Sequence, residues 1–421
     1  MARSTAFVAA LAVLWGLPAR AAAPPVVVRA GWLVDPAAAT ASANQSLLIE
    51  NGHIQAVGPR LEVPAGAQVI DLSNRYVLPG LIDVHTHLCL TVKTQGGHGL
   101  NDLLKSLLSS TLLETNARRA LIGVVNAREM LTAGFTTVRD VGNAGNYADT
   151  DLRRSIEEGW IPGPTVINAG RIIAPLGGQY HHLTPERPEL GEPEYLYADT
   201  PEEMRLAVRK NVLYGAKVIK IVVDDQPYLY SVEDVRTLVS EAARAGMKVA
   251  AHCATDAGAR IAAEGGVASV EHAYDATTET LELMKKKGVF LVGTDFTRTA
   301  AHEMGMDDYH PRVVARLRRA RAVGVPMAFG TDVVFPMAGE TRGTLSIAFV
   351  ESYQEAGFSA PAILRMMTLD AARLLGMEKE RGNLQPGAAA DLVATDANPL
   401  LDASVLRHVS FVMKGGQVFR P

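Results

Sequence analysis

The sequence predicts an α/β protein, a (β/α)8 TIM barrel with a small β-sandwich domain formed by the N- and C-terminal segments. Three observations lead to this prediction. Apolar strand-like runs alternate with helix-like stretches over residues 79–384, about eight such runs follow one another, and both chain ends carry short β-like runs separated by turns. Near-continuous apolar strands are typical of parallel strands buried on both faces. About eight of them within roughly 300 residues suit a barrel.

The barrel prediction depends on the order of the apolar runs between residues 79 and 384. Stretches of helical character, such as residues 232–245 and 309–323, separate several of them. A doubly wound sheet is the alternative, but no Gly-rich dinucleotide fingerprint follows any run. The runs are residues 81–87, 135–141, 165–173, 218–223, 249–252, 268–272, 290–293 and 326–331.

The two ends of the chain, residues 22–78 and 385–421, carry short β-like runs separated by turn signals and lack the alternating strand and helix pattern. Asn51-Gly52 is a strong hairpin signal between two β-like runs. Gly415-Gly416 marks a similar turn near the C-terminus. We therefore expect both segments to pair into one small β-sandwich domain, with the barrel between them in the sequence.

The first 21 residues are predicted to be a signal peptide. A basic start at Arg3 precedes an apolar run over residues 5–17, and Ala19-Arg20-Ala21 supplies the small residues that a signal peptidase needs. A membrane anchor or a core helix is the alternative, but the run is shorter than the ~20 apolar residues that span a bilayer. We expect cleavage after Ala21, a periplasmic or secreted mature protein, and no membrane association after signal removal.

The overall composition excludes several classes of protein. Hydrophobic residues make up 48% and charged residues 20% of the chain, which indicates a globular protein with a sizeable core. The formal net charge of −4 gives no basic surface for nucleic acid. The two cysteines, Cys89 and Cys253, cannot form a disulfide framework. We therefore expect no nucleic-acid partner and a fold that does not depend on disulfides.

Four histidines and one aspartate stand at the ends of predicted barrel strands. His85 and His87 end the first run, His252 and His272 end two later ones, and Asp332 follows the last. Residues i and i+2 of a strand face the same way, so both imidazoles of the first pair can reach one cation. Each residue alone has an ordinary explanation, as a surface group or a helix cap. Together they indicate a metal site with nitrogen and oxygen ligands at one rim of the barrel.

Lys220 ends the predicted fourth strand, among residues that we expect to be buried. A buried lysine is costly unless it is neutralised or paired. At this point a structural salt bridge and a functional role are equally open. Lys217 is the competing candidate, but it lies three residues earlier and strand alternation directs it to the opposite face.

This combination of residues resembles the amidohydrolase superfamily, and within it the branch related to imidazolonepropionase that contains Xaa-Pro dipeptidases (prolidases) and carboxypeptidase-like enzymes. The matching segments occur in the expected order over essentially the whole chain after the signal peptide. They are Leu78-Pro79-Gly80-Leu81-Ile82-Asp83-Val84-His85-Thr86-His87, Gly134-Phe135-Thr136-Thr137-Val138-Arg139-Asp140, Gly215-Ala216-Lys217-Val218-Ile219-Lys220, Ala251-His252-Cys253-Ala254-Thr255, Glu271-His272, Gly330-Thr331-Asp332 and Leu384-Gln385-Pro386-Gly387-Ala388-Ala389-Ala390-Asp391.

The resemblance implies two zinc ions bridged by a carboxylated lysine, Lys220. Carboxylation converts the lysine cation into a carbamate anion, so no unpaired cation is buried. Manganese or cobalt would suit the same donors. In this chemistry a metal-bridging hydroxide attacks the scissile carbonyl, and Asp332 acts as general base and then as general acid. The implied ligands are His85, His87 and Asp332 for one ion, and His252 and His272 for the other.

The resemblance also suggests residues that contact the substrate. Tyr230 stands where related enzymes have a Tyr-Ser-x-Glu/Asp segment, and a tyrosine near the mouth can bind a developing oxyanion. Many relatives carry a Thr-Gly-Gly-His segment after strand three; the loop here departs from it, so either His181 or His182 takes that role or the loop is rebuilt. Arg139 is a candidate for a substrate carboxylate, with a structural ion pair as the alternative. The apolar segment over residues 333–340 is a candidate wall of a hydrophobic pocket.

On this resemblance we expect an exported binuclear zinc amidohydrolase that cleaves a C–N bond of dipeptides or N-acyl amino acids, as Xaa-Pro dipeptidases and carboxypeptidases do. Two alternatives stay open: a hydrolase of cyclic amides or lactones, similar to imidazolonepropionase, and a non-catalytic metal-binding barrel. Lys220 favours two metals, and Asp332 supplies the acid/base group that a non-catalytic barrel would lack. We expect a small-molecule substrate and self-association into a homo-oligomer.

Overall fold

The computed structural model describes residues 24–92, 99–180, 183–225 and 228–421. The predicted signal peptide and the loop histidines His181 and His182 lie outside the described residues. Within these ranges a mainly antiparallel sheet is built from the two ends of the chain, and parallel strands with intervening helices are built from its central part. The α/β class predicted from the sequence is therefore confirmed.

Sixteen strands are found in the described residues. In chain order they are β1 (Val26–Asp35), β2 (Thr40–Glu50), β3 (His53–Pro59), β4 (Gln68–Pro79), β5 (Leu81–Thr86), β6 (Phe135–Asp140), β7 (Thr165–Asn168), β8 (Ile172–Ala174), β9 (Tyr195–Tyr197), β10 (Ile219–Val222), β11 (Val249–Cys253), β12 (Ser269–His272), β13 (Phe290–Val292), β14 (Leu392–Thr395), β15 (Phe411–Lys414) and β16 (Gln417–Arg420).

The α-helices lie mainly between the central strands, and several begin at a hydroxyl side chain that accepts a hydrogen bond from the first turn, as Thr200 and Ser231 do. No helix within the described ranges is both long enough and apolar enough to span a membrane. The helices are α1 (Leu100–Leu113), α2 (Asn116–Thr132), α3 (Ala148–Glu157), α4 (Pro201–Leu213), α5 (Val232–Arg244), α6 (Asp256–Gly265), α7 (Thr278–Lys287), α8 (Arg298–Glu303), α9 (Tyr309–Val323), α10 (Arg342–Ala348), α11 (Val350–Glu355), α12 (Ala360–Met366) and α13 (Leu369–Leu375).

The two ends of the chain meet in one seven-stranded sheet with the order β16-β15-β14-β4-β1-β2-β3. Asn51 and Gly52, with φ of 51° and 79°, form the tight turn between β2 and β3, as the sequence predicts. The C-terminal segment joins this sheet because β14 pairs antiparallel with β4, where Leu392 lies opposite Pro79. A sandwich requires two packed layers, so that part of the expectation stays a prediction.

The central strands form two parallel sheets, β5-β6-β7 and β13-β12-β11-β10-β8-β9. Residues 326–329 lie between them, because Leu291 N donates to Pro326 O at 2.8 Å and Val84 N donates to Phe329 O at 2.9 Å. The predicted third strand is divided: β7 pairs with β6, and β8 pairs with β10. The arrangement is TIM-barrel-like, although the sheets of the described residues do not close into one continuous barrel. Their shared direction places the strand carboxyl ends on one side, where the polar residues described next converge.

Candidate active site

Three side chains converge at the carboxyl end of β5. The Nε2 atom of His87 lies 3.1 Å from Asp332 Oδ1, and the Nε2 atom of His85 lies 3.8 Å from the same oxygen. One potential ligand atom from each of the three residues falls within 4.8 Å of the others. Two imidazole nitrogens and a carboxylate at this spacing can hold a single metal ion. This is the grouping that the His-x-His spacing predicts.

The turn that follows residue 329 fixes the position of Asp332. Asp332 has a left-handed φ of 57°, and its N–H donates to His85 O at 2.8 Å. A Cβ at Gly330 would meet the Cβ atom of His85 at 2.8 Å, so glycine permits this close approach. Behind the turn, buried Asp83 accepts hydrogen bonds from His85 N and from the Thr331 hydroxyl. Asp83 therefore joins the two chain segments that carry the first ligand group.

His252 and His272 reach the same site from β11 and β12. The ring centroids of these two imidazoles lie 4.5 Å apart, and the His272 ring lies 5.0 Å from that of His85. The Nε2 atom of His252 is buried and makes no hydrogen bond within the described residues, although an oxygen of Asp225 lies 3.4 Å away. Buried polar atoms normally have a partner, and a metal ion would supply one.

The electrostatics of the site favour the neutral form of two of the imidazoles, those of His85 and His272, while, against the effect of burial, hydrogen bonding to Asp332 raises the pKa of His87. Burial lowers the pKa of His85 to about 4, and the neighbouring Lys220 charge acts in the same direction. Burial also holds the pKa of His272 well below its ordinary value, with further contributions from the adjacent histidines. Burial opposes ionisation of Asp332, but the surrounding imidazoles outweigh it and lower the pKa of Asp332 to about 2. Neutral imidazole and ionised carboxylate are the forms that bind metal ions.

Lys220 lies on β10 with only 3% of its surface exposed, and it lines the same cavity as the histidines. Burial lowers the pKa of Lys220 to about 8, because the negative charges of Glu271 and Asp332 offset only part of the cost of desolvation. Lys217 is exposed. Of the two lysines, Lys220 is therefore the one that lines the cavity.

Glu271 is a site residue that the sequence analysis did not single out. Its carboxylate is fully buried between two partners: Oε2 lies 2.8 Å from His85 Nδ1, and Oε1 accepts a hydrogen bond from Arg139 Nη2 at 2.8 Å. A carboxylate behind a metal-binding imidazole fixes the orientation and tautomer of the ring. A signal was present, because Ser269 and Glu271 alternate along an apolar strand and so share its inner face.

Two of the predicted substrate contacts are corrected by the structure. Arg139 is 1% exposed, and its guanidinium pairs with Glu271 and donates to the backbone oxygen of Val84. The structure therefore supports the alternative, a structural ion pair. Tyr230 is fully buried, and its hydroxyl donates to Ala198 O at 2.7 Å. A buried tyrosine hydroxyl needs such a partner. Neither side chain lines the cavity, while the other two candidates, in the loop after strand three, lie outside the described residues.

A cavity of about 270 Å³ opens above the converging residues. Its rim includes Tyr309 and the ion pair between Arg312 and Asp275, whose N–O distance is 2.6 Å. Much of its wall is apolar, and Val334 and Phe335 belong to the segment that the sequence suggests as a hydrophobic wall. The apolar wall includes Leu103, Leu107, Met304, Met306, Val334 and Phe335.

A His-His-Asp group that fits a metal ion, at the strand ends of a TIM-barrel-like fold, is the arrangement expected of the amidohydrolase family. The chain belongs to this family, since the family model described as "Amidohydrolase family" matches residues 76–419. This confirms the resemblance inferred from the motifs.

Individual relatives support the same family assignment. The ochratoxinase of Aspergillus niger is 29% identical over 423 positions, covering 90% of this chain and 83% of that protein. The imidazolonepropionase of Caldanaerobacter subterraneus subsp. tengcongensis is 26% identical over 396 positions, covering 88% and 89%. Among solved structures, a Xaa-Pro dipeptidase with bound methionine matches with a TM-score of 0.80 at 27% identity, covering 94% of this chain and 100% of that one. The chain is therefore similar to a named ochratoxinase, a named imidazolonepropionase and a named Xaa-Pro dipeptidase.

Proposed function

We propose that this protein is an exported binuclear zinc amidohydrolase that cleaves the C–N bond of dipeptides or N-acyl amino acids. The observation that carries the proposal is the convergence of four imidazoles, one carboxylate and a buried lysine at the floor of one cavity. Six side chains of these types around one cavity are difficult to explain by packing alone, because each is costly to bury without a partner.

The geometry supports the first proposed ligand set, and the second is the one that the family resemblance implies. His85, His87 and Asp332 would hold one ion, because their donor atoms already lie within 4.8 Å of one another. The lowered pKa values of His85 and His272 and the Nε2 atom of His252, which makes no hydrogen bond within the described residues, fit a metal site. When bound, the metal ions would lower the pKa of a water molecule and polarise the scissile carbonyl. The remaining ligands would be His252 and His272 for the second ion, with carboxylated Lys220 between the two.

Asp332 would move the proton. Its carboxylate is 29% exposed, so one side faces the cavity while the other faces the imidazole of His87. The depressed pKa of this group keeps it ionised and able to accept a proton at neutral pH. We propose that Asp332 takes a proton from the attacking water and delivers it to the departing amine.

The cavity supports an amide substrate with a large apolar group. Leucine, methionine and phenylalanine side chains form much of its wall above the polar floor, and apolar walls with a few fixed polar groups are typical of small-molecule sites. The similarity to an enzyme named ochratoxinase and to a Xaa-Pro dipeptidase supports an amide or peptide bond as the target.

The test is release of amino acids from a mixed panel of dipeptides and N-acyl amino acids, with zinc and bicarbonate present. Asp332→Asn is compared with Asp396→Asn, a control at an exposed carboxylate outside the cavity. Release by the wild type and the control, but not by Asp332→Asn, is the expected result. No release from any member would overturn the peptidase proposal and direct the search to cyclic amides and lactones.

Export is proposed from the basic start, the apolar run and the Ala19-Arg20-Ala21 site. N-terminal sequencing of the protein recovered from the periplasm or medium tests it, with Ala22 as the expected first residue. Retention of Met1 in the purified protein would contradict cleavage. Sedimentation of the same sample tests the proposed homo-oligomer.

A further inference from the structure

The side chain of His272 reaches the site through an unusual backbone conformation. Strict alternation along β12 would place Glu271 and His272 on opposite faces. Glu271 bonds to His85, and the His272 ring also lies against the His85 ring, 5.0 Å between centroids. The backbone explains how the side chains of Glu271 and His272 both reach His85. His272 and Ala273 have left-handed φ values of 65° and 49°, which break the alternation at the end of the strand. Non-glycine residues adopt such left-handed values at a cost, so surrounding contacts must hold them.

Arg316, on α9, holds the peptide carbonyl at this turn. Its Nη1 atom donates to His272 O at 2.5 Å, and both terminal nitrogens lie 3.3 Å from Gly293 O. The same guanidinium forms an ion pair with Asp295. One planar group therefore connects the carboxyl ends of β12 and β13.

The Arg316–Asp295 pair occupies a closely fitted space. Both side chains are 0% exposed. A Cβ at Gly293 would collide with the Asp295 carboxylate and with Arg316 Nη1, so glycine is required there. A buried ion pair contributes little net stability, because desolvation offsets much of the attraction. The contacts of the Arg316–Asp295 pair are therefore better explained by the two backbone carbonyls, of His272 and Gly293, that Arg316 holds in place.

The segment from Gly293 to Asp295 holds the imidazole ring of His272, in addition to the contact that Arg316 makes with the His272 carbonyl. Thr294 lies between Gly293 and Asp295, has a left-handed φ of 51°, and places its Oγ1 atom 2.8 Å from His272 Nδ1. Thus the Arg316 guanidinium holds the His272 backbone, while the neighbouring threonine hydroxyl holds its ring.

We propose that Arg316, with Asp295, is a positioning residue that keeps His272 in the left-handed conformation needed to bind a metal ion. This inference rests on the proposed binuclear site. It predicts that loss of the guanidinium weakens the metal ion bound by His272 and spares the ion bound by His85 and His87.

Arg316→Lys tests the proposal. Lysine keeps the charge beside Asp295, but its ammonium lacks the planar fork that reaches both carbonyls. Arg381→Lys is the matched control, since Arg381 pairs with the 6%-exposed Asp391 outside the cavity. In chelator competition we expect Arg316→Lys to bind one of two zinc ions about 10- to 100-fold more weakly. The control should bind both ions as the wild type does; wild-type affinities for both ions in Arg316→Lys would overturn the proposal.

A second measurement needs no metal. In the metal-free protein with ¹³C-labelled histidine, the His272 ring resonance is assigned by its loss in His272→Gln. We expect Arg316→Lys to shift this resonance and to leave that of exposed His302 unchanged. Asp295→Asn should also shift it, and this variant serves as the test if the lysine variant does not fold. An unmoved resonance in both variants overturns the positioning role. A wild type that binds fewer than two zinc ions overturns the binuclear function instead, and the resonance still decides the role of Arg316.

Discussion

Replacement of Glu271 by glutamine would test the buried support behind His85. In the structure the Glu271 carboxylate lies 2.8 Å from Arg139 Nη2 and 2.8 Å from His85 Nδ1, and its Oε1 atom also accepts a hydrogen bond from the Ser269 hydroxyl. Glutamine has nearly the same shape, but one end of its amide is a donor. It therefore cannot accept hydrogen bonds from both partners: an amide nitrogen turned to Arg139 faces another donor, and one turned to His85 donates to Nδ1 and forces the ring proton onto Nε2, the atom that faces Asp332.

Two separate losses are expected from this change. Removing one charge of a buried ion pair costs about 3–5 kcal/mol in the free energy of unfolding, because the other charge is left uncompensated. Removing the carboxylate behind a metal-binding imidazole costs about 10- to 100-fold in metal affinity, which corresponds to about 1.4–2.8 kcal/mol. The first loss should be present in the metal-free protein, whereas the second should appear only in metal binding.

Urea unfolding of the metal-free protein measures the first loss, and chelator competition measures the second. Glu194→Gln is the matched control: the Arg119–Glu194 pair has an N–O distance of 2.7 Å and is equally buried, but its hydrogen bonds go to none of the proposed ligands. We expect both variants to lose similar stability and only Glu271→Gln to lose metal affinity. Equal metal affinities in the two variants would refute the reasoning.

Three further outcomes are expected. Asp332→Asn should lower kcat for amino-acid release by at least about 100-fold when its metal content equals that of the wild type; a smaller loss would assign the proton transfer to another group. Tyr230→Phe should lower the free energy of unfolding by about 1 kcal/mol through its lost bond to Ala198, and a tenfold fall in kcat/KM would restore the substrate role. Burial opposes ionisation of Glu271, but the Arg139 guanidinium, the hydrogen bond to His85 and the charge of Lys220 together outweigh it and hold the pKa of that carboxyl below its ordinary value of 4.5. A depressed pKa contributes stability above that ordinary value and loses it as the pH falls towards the folded value. Urea unfolding at decreasing pH should therefore show the wild type losing stability below about pH 4.5 more steeply than Glu271→Gln; parallel curves would contradict this.

The positions of the proposed metal ligands were accessible from the sequence because the argument is local. Each ligand ends an apolar run, and parallel strands bring their carboxyl ends to the same edge. Alternation within one short strand was enough to choose buried Lys220 over exposed Lys217. Hairpin chemistry at Asn51-Gly52 was equally local, and the turn forms where it is predicted.

The errors concern contacts between distant parts of the chain. Arg139 carries no local sign that its partner is Glu271, 132 residues away, so a substrate carboxylate was as reasonable an expectation. The motif resemblance assigns Tyr230 to the substrate, but its buried hydroxyl donates to the Ala198 carbonyl. These two residues are distant in the sequence and come together only in the folded chain. Alternation also fails at strand ends, since the left-handed backbone of His272 is imposed by tertiary contacts and leaves no pattern in the sequence.

Two of the buried arginine–carboxylate pairs, Arg139–Glu271 and Arg316–Asp295, divide the support of the site between its two halves. Arg139–Glu271 stands behind His85, in the first ligand group, while Arg316–Asp295 holds the carbonyl of His272, in the second. These supports meet at adjacent residues of β12, one through a side chain and the other through the backbone. A shift of this strand would therefore disturb both ligand groups at once, whereas loss of either arginine should disturb one group first. The strand thus sets the distance between the two halves, and each ion pair sets the orientation within its own half.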